Sequence, residues 1–256
     1  MRPELVLSNT TTFFSGRLEN VFKKAKKHGF KYLEILPYRW TNPAEVLNLE
    51  KKYQIQVVGI HLPQWWSGSL RQIIKKQSKI YEQLFGLVAD FFVGSVIKNP
   101  SLKIAETFKK QNRDFYLLFH ANLAHQVRLT FLELIKQFYV LIENIPYHKE
   151  YPPAYWDPLK IKEAYPDIKI AFDPGHFETI PNYSAKLLEI YGTIKPEIIH
   201  ISYGTFPPHV LPNQREQEEL KQMLAIHQPK YIVLETNPLV SVKRGKEILE
   251  KIIMEA

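Results

Sequence analysis

Eight short apolar runs alternate with longer amphipathic stretches along the 256-residue chain. The runs are rich in β-branched and aromatic residues, and the stretches between them repeat their apolar residues at i, i+3 and i+4. Strands that are apolar throughout and separated by helices favour a parallel sheet covered by helices, and eight such strands can close a barrel. The predicted strands lie at 4–9, 32–37, 56–63, 91–99, 139–144, 168–173, 197–202 and 231–236. We therefore predict an α/β fold, a single (β/α)8 TIM barrel.

The stretches between the strands predict the helices. They lie at 17–28, 43–53, 69–88, 101–137, 157–164, 183–194, 214–227 and 241–254. The stretch 101–137 is too long for one helix and predicts two, and the Pro- and aromatic-rich segment 147–158 predicts a long loop. No Gly- or Ser-rich linker or change in composition divides the chain, so one domain over 1–256 is expected.

Composition excludes several classes of protein. No apolar run approaches the roughly 18 residues of a membrane-spanning helix, and the first residues lack the pattern of a signal peptide. The chain has no cysteine, so a disulfide framework and a thiolate metal site are excluded, and a cytoplasmic protein is expected. The formal net charge is +8, which would favour polyanions, but the lysines are spread along amphipathic segments as on an ordinary solvated surface.

Charged or imidazole side chains interrupt four of the apolar runs near their carboxyl ends. Glu143, Asp173, His200 and Glu235 stand there, between 27 and 35 residues apart, which is about one strand-helix unit. An isolated charge in a buried strand is costly unless it is paired or metal-bound. Four on successive strands, all at the active-site end of a barrel, favour one shared divalent ion over four separate ion pairs. Three carboxylates and one imidazole suit Mn²⁺, Zn²⁺, Co²⁺ or Mg²⁺.

Other residues at the same end are candidates for substrate contacts and catalysis. His176 follows Asp173 past a Pro-Gly turn and can face the same cavity. The predicted substrate-binding residues are His61, Trp65, Trp66, Lys98 and His209. Each also has a structural alternative, such as a core histidine, packing over the barrel mouth or an ion pair. His120 and His125 fall in a predicted helix and are expected to be surface or core residues.

Five segments carry a resemblance to a known superfamily: LIENIP, FDPGHF, IHIS, HVLPN and LETNP. In this order they resemble the xylose-isomerase-like TIM barrels, which include sugar isomerases, ketose epimerases, inosose isomerases and endonuclease IV. The resemblance implies that Glu143, Asp173, His200 and Glu235 bind the ion of the single-metal members and that His176 contacts a substrate oxygen. It also matches His209 to the histidine of an H-x-L-P-G segment, although Asn213 replaces the glycine.

Two functions of different classes follow from this pattern. The favoured one is a metal-dependent isomerase or epimerase of a small sugar, inosose or sugar acid, for which a homo-oligomer is a compatible form. An ion that chelates a carbonyl and a neighbouring hydroxyl acidifies the C–H between them, and Glu143 and Glu235 are the predicted proton carriers, with His176 as third catalytic residue. Two departures put the ketose epimerases in doubt: no arginine follows strand seven before Arg215, and Lys149 replaces a family glutamate.

The alternative is an endonuclease IV-like nuclease for abasic DNA. By resemblance, such an enzyme needs three zinc ions, a histidine after strand four and an aspartate before the H-x-L-P histidine. Asn99 and Pro207 stand at these places in this sequence, so the sequence disfavours DNA as a partner. A lyase or another metal-binding barrel is the third possibility.

Overall fold

Eight parallel strands form a closed barrel in the computed structural model, which describes residues 2–62, 100–126, 128–147, 149, 151–177, 180, 184–205 and 208–256. Each barrel strand pairs with the one before and after it in the chain, and the last pairs with the first. The barrel strands are β1 (Glu4–Ser8), β2 (Tyr32–Ile35), β3 (Gln56–His61), β4 (Tyr116–His120), β5 (Val140–Glu143), β6 (Lys169–Phe172), β7 (Ile198–Ile201) and β10 (Tyr231–Leu234). This architecture confirms the predicted (β/α)8 TIM barrel.

Helices connect these strands on the outside of the barrel. They are α1 (Glu19–Lys27), α2 (Pro43–Tyr53), α3 (Ser101–Lys110), α4 (Ala121–Gln126), α5 (Arg128–Ile135), α6 (Pro153–Trp156), α7 (Pro158–Ala164), α8 (Ser184–Ile194), α9 (Gln214–Ile226) and α10 (Val242–Glu255). A two-stranded antiparallel hairpin, β8 (Tyr203–Thr205) and β9 (Pro208–Val210), follows β7. The predicted helix 69–88 lies outside the described residues. Over the ranges described, none of the helices combines the length and apolar character needed to cross a bilayer.

Local sequence signals explain where several of these helices begin and end. Asn42 caps α2 by accepting a hydrogen bond from the backbone N–H of Glu45 at 2.9 Å. Asn213 and Glu216 form a reciprocal capping box at the start of α9. Gln54 ends α2 in the left-handed region, with φ of 56°. Such caps satisfy backbone groups that the helix itself leaves unpaired.

The predicted fourth strand is wrong. The place between β3 and β5 is taken by Tyr116–His120, which pairs with both neighbours, whereas the predicted strand 91–99 lies outside the described residues. The predicted helical stretch 101–137 therefore contains α3, β4, α4 and α5. A turn after α3, with Asn112 at φ of 52°, separates the helix from the apolar run FYLLFH. Because amphipathic segments flank this short run on both sides, the hydrophobic periodicity of the sequence predicts a helix there instead of a strand.

The barrel interior is filled by its own apolar layer, separate from the larger core between the sheet and the helices. Its residues are Val6, Val58, Tyr116, Leu118, Leu141, Ala171, Ile198, Tyr231 and Val233. Tyr231 packs between Tyr32 and Tyr116 at the amino ends of the strands, with ring centroids 5.8 and 6.3 Å away. The barrel is therefore a packed core, and polar side chains collect at its opposite end.

Candidate metal centre

Five polar side chains extend the interior of the barrel toward the carboxyl ends of its strands. Leu118, Leu141, Ala171, Ile198 and Val233 belong to the interior layer. Side chains alternate between the two faces of a strand, so the residue two positions further on points the same way. Those residues are His120, Glu143, Asp173, His200 and Glu235. All five are buried, which places charged and imidazole groups together on top of an apolar floor.

Glu143 lies at the centre of this cluster and has its two carboxylate oxygens turned to different histidines. Its Oε1 lies 3.2 Å from Nδ1 of His200. Its Oε2 lies 3.2 Å from Nε2 of His120 and 3.6 Å from Nε2 of His61. One carboxylate thus connects two sets of nitrogen ligands.

His61 and His120 form the first of these sets. The Nδ1 of His61 donates to the carbonyl oxygen of Leu62 at 2.7 Å, so its Nε2 presents a lone pair to the cluster. That Nε2 lies 3.1 Å from Nε2 of His120. Two imidazole nitrogens and a carboxylate oxygen at such distances attract one another only through a shared proton or cation.

His200 belongs to the second set and is held from both sides. Its Nε2–H donates to Oε2 of Glu34 at 3.1 Å. Its Nδ1 lies 3.0 Å from Oε2 of Glu235, in addition to its contact with Glu143. The nitrogen that faces the two carboxylates is therefore the one available to an ion.

Asp173 and His176 lie on the other side of Glu143 and are oriented by neighbouring polar groups. Asp173 Oδ1 accepts from the backbone N–H of Gly175 at 2.8 Å, and Oδ2 accepts from the hydroxyl of Ser202. His176 Nδ1 donates to the carbonyl oxygen of Asn144 at 2.7 Å, which leaves its Nε2 3.5 Å from Asp173 Oδ2. This pair again presents a bare imidazole nitrogen beside a carboxylate.

Burial and mutual charge shift the pKa values of these groups in opposite directions. Burial opposes ionisation of Glu143, but the imidazoles of His200 and His120 outweigh it and hold its pKa well below the usual range. Burial raises the pKa of Asp173 well above the usual range, and the negative charge of Glu143 adds to the effect. Burial lowers the pKa of His120. For His200 burial acts the same way, but Glu143 and Glu34 override it, so its pKa is raised well above normal. Strongly opposed shifts in one cavity are typical of functional sites.

The cluster fits divalent metal ions. Three groups of ligand atoms, each within 4.8 Å of one another, share Glu143: His61 with His120, His200 with Glu235, and Asp173 with His176. The separations of 3.0–3.6 Å between facing atoms match the spacing of about 3.3 Å between two ligands of a tetrahedral ion bonded at about 2.0–2.1 Å. Among the described residues, the buried Oε2 of Glu143 has no hydrogen-bond donor, as expected for an atom that binds a cation. The donor set of imidazoles and carboxylates suits Zn²⁺ or Mn²⁺.

The structure brings together most of the residues singled out in the sequence. Glu143, His200 and Glu235 form one group, and Asp173 lies in the adjoining group with His176. His61 lies against Glu143 and is thus placed as an ion ligand as readily as a substrate contact. His209 lies on β9, and Trp65, Trp66 and Lys98 lie outside the described residues.

Two residues of the site were missed. The expectation that His120 is a surface or core residue of a helix is wrong, because it ends β4 inside the cluster. Glu34 interrupts the apolar run YLEIL on β2 and contacts His200. Both show the signal that identified Glu143, a polar residue within a short, otherwise apolar run. The fourth barrel strand therefore ends at His120, and Asn99, which the sequence puts at that place, lies outside the described residues.

Solved structures with a similar fold are known. No protein-family model and no curated protein matches the sequence. The chain is similar to the crystal structure of AP endonuclease, family 2, from Brucella melitensis, with 15% identity, 97% of this chain and 98% of that chain covered, and a TM-score of 0.59. It is also similar to the IolI protein with a bound zinc atom, with 13% identity, 100% and 99% coverage, and a TM-score of 0.60. Both likenesses extend over nearly the whole of each chain. At these identities they describe the fold and not the activity.

Proposed function

We propose that this protein is a metal-dependent hydrolase with more than one divalent ion, acting on a phosphodiester bond of a nucleic acid. The observation that carries the proposal is the position of Glu143, whose two oxygens face two different histidine sets. A carboxylate placed in this way is suited to bridging two ions. Centres with two or more ions are typical of enzymes that cleave phosphate esters.

His120 on β4 bears on the choice between the two functions predicted from the sequence. The sequence disfavours a nuclease because Asn99 stands where a histidine after strand four is expected. The proposal assigns that place to His120, whose Nε2 lies 3.2 Å from Oε2 of Glu143. Pro207, the other departure, lies outside the described residues. The formal net charge of +8 supports a polyanionic substrate, and the structure of an AP endonuclease is among the similar folds.

The roles of the side chains follow from their contacts. When bound, divalent ions acidify a coordinated water and offset the charge of a phosphoryl group. Glu143 would help to hold the ions together with His61 and His120 on one side and His200 on the other. Asp173 is kept in orientation by Ser202 and Gly175, and His176 Nε2 beside it is placed to accept a proton. Burial lowers the pKa of His176, which favours the unprotonated form of this nitrogen.

A sugar isomerase or epimerase with one ion is the second candidate, and one observation favours it. Glu143 and Glu235 both lie against Nδ1 of His200, at 3.2 and 3.0 Å, so two carboxylates flank a single ion position, as proton transfer on a chelated ketose requires. In this enzyme His61 and His120 would serve as hydrogen-bond partners of Glu143 rather than as ligands.

Metal content and two activity assays separate the candidates. We expect two or three zinc ions per purified chain by elemental analysis, and cleavage of a duplex that contains one abasic site. His120→Ala should lose about one ion and at least 10²-fold in cleavage rate. His28→Ala is the matched control because His28 follows α1 and belongs to none of the three ligand groups. One ion per chain, with solvent deuterium exchange into a ketose and intact abasic DNA, would overturn the hydrolase in favour of the isomerase.

A further inference from the structure

Glu34 is a fully buried carboxylate that lies outside the three groups of possible metal ligands. It is part of β2, on the far side of the His200 ring from Glu143 and Glu235. Its Oε2 accepts the Nε2–H of His200 at 3.1 Å, while Nδ1 of the same ring faces the other two carboxylates. The imidazole thus lies between the carboxylate of Glu34 at Nε2 and two carboxylates at Nδ1.

A second buried residue fixes Glu34 itself. The hydroxyl of Tyr116 donates to Oε2 of Glu34 at 2.8 Å. The two residues belong to β4 and β2, and Gly59 on β3 is in register with both. Because Gly59 has no side chain, the ring of Tyr116 can cross β3; a Cβ at this position would lie 2.6 Å from Cε2 of that ring. Three strands therefore cooperate to place one hydrogen bond.

We propose that Glu34 is a positioning residue for the metal centre: by holding the Nε2–H of His200, it commits Nδ1 to the ion and prevents the ring from turning. A ligand imidazole commonly donates its other N–H to a carboxylate or carbonyl, and this outer hydrogen bond fixes the ring and makes the ligand nitrogen more basic. His61 and His176 use backbone carbonyls for this purpose. His200 is held by a charged group, so its nitrogen is the most basic of the three.

The proposal requires an ion at His200, as the proposed function does, but it holds for any reaction catalysed there. Its failure can therefore be recognised separately. A protein that binds zinc through His200 and cleaves no phosphodiester would refute the hydrolase and leave the role of Glu34 intact.

Zinc affinity and the NMR signals of the His200 ring test the role of Glu34. In the wild type loaded with zinc, we expect a His200 Nε2–H that exchanges slowly with solvent and a ring coordinated through Nδ1. Glu34→Met keeps the size of the side chain but has no acceptor, so zinc affinity at this site should fall by about 10–100-fold. The Nε2–H should then exchange rapidly. Glu34→Gln can still accept through its amide oxygen and should restore slow exchange with intermediate affinity.

Tyr116→Phe provides a milder variant if Glu34→Met does not fold. It should weaken zinc binding at His200 by a smaller factor, whereas Tyr231→Phe, a neighbouring interior tyrosine that does not bond to Glu34, should leave it unchanged. Unchanged zinc affinity in Glu34→Met or, where that variant is unfolded, in Tyr116→Phe would overturn the proposal. Coordination of zinc through Nε2 of His200 in the wild type would overturn it as well.

Discussion

Gly59→Ala tests the packing that supports the metal centre. The new methyl group would lie 2.5 Å from the hydroxyl oxygen and 2.6 Å from Cε2 of Tyr116, distances that real Cβ atoms do not show. Tyr116 is buried in the barrel interior, so its ring has to shift into close-packed neighbours. Overpacking of this kind costs about 1–3 kcal/mol.

Movement of the ring also removes the hydrogen bond from Tyr116 to Glu34. A hydrogen bond to a charged group contributes about 1.5–3 kcal/mol. The two effects together predict a loss of about 2.5–6 kcal/mol in the free energy of unfolding, against about 5–15 kcal/mol for a whole domain. Urea denaturation followed by circular dichroism measures this loss directly.

A double-mutant cycle shows whether the clash is the cause. In a Tyr116→Leu background the side chain at 116 is smaller and has no hydroxyl, so Gly59→Ala should cost less than about 1 kcal/mol there. Gly192→Ala on α8 is the matched control, because its Cβ would be 3.2 Å from the Ile226 side chain, which can adjust, and alanine favours a helix. The reasoning is refuted if Gly59→Ala costs under 1 kcal/mol in the wild type, or costs the same in both backgrounds.

Three further predictions concern single contacts. Lys52→Met should return the pKa of Glu19 from about 2 toward 4.5, because the hydrogen bond from Lys52 is the main cause of the shift; an NMR titration of the Glu19 carboxyl carbon measures this pKa. The stability that Glu19 contributes is present above about pH 4.5 and is lost as the pH falls toward 2. Asn144→Ala should lower the free energy of unfolding by about 2–4 kcal/mol, since its side chain hydrogen-bonds both the backbone N–H and the C=O of Asp173 at 3.0 Å; a loss below about 1 kcal/mol would contradict this. Phe22→Ala, in the core between α1 and the sheet, should cost about 3–5 kcal/mol in urea denaturation, whereas Leu239→Ala at a 97% exposed position should change stability by less than about 0.5 kcal/mol.

The barrel could be predicted from the sequence because seven of its strands are apolar runs with clear helical periodicity between them. The fourth strand could not, since FYLLFH and FFVGSVIKN have similar composition and only pairing with β3 and β5 decides between them. Strand choice is a tertiary property, and local propensity does not determine it.

The carboxylates of the site were predictable for a physical reason. A lone acid in a buried strand, such as Glu143 in VLIE, has to have a partner. His120 was not predicted as a site residue because its strand, β4, was not predicted. Glu34 was overlooked although its run shows the same pattern, and its role depends on Tyr116 reaching across β3, a contact made by closing the barrel.

The tyrosine layer at the amino ends of the strands has a kinetic consequence. Tyr231 packs against both Tyr32 and Tyr116 below the apolar floor, so in the described part of the chain aromatic rings occupy this end of the barrel. We therefore expect bound ions to enter and leave at the carboxyl ends of the strands. A substrate bound there would cover them, and chelators should remove metal from the substrate-free protein far faster than from the complex.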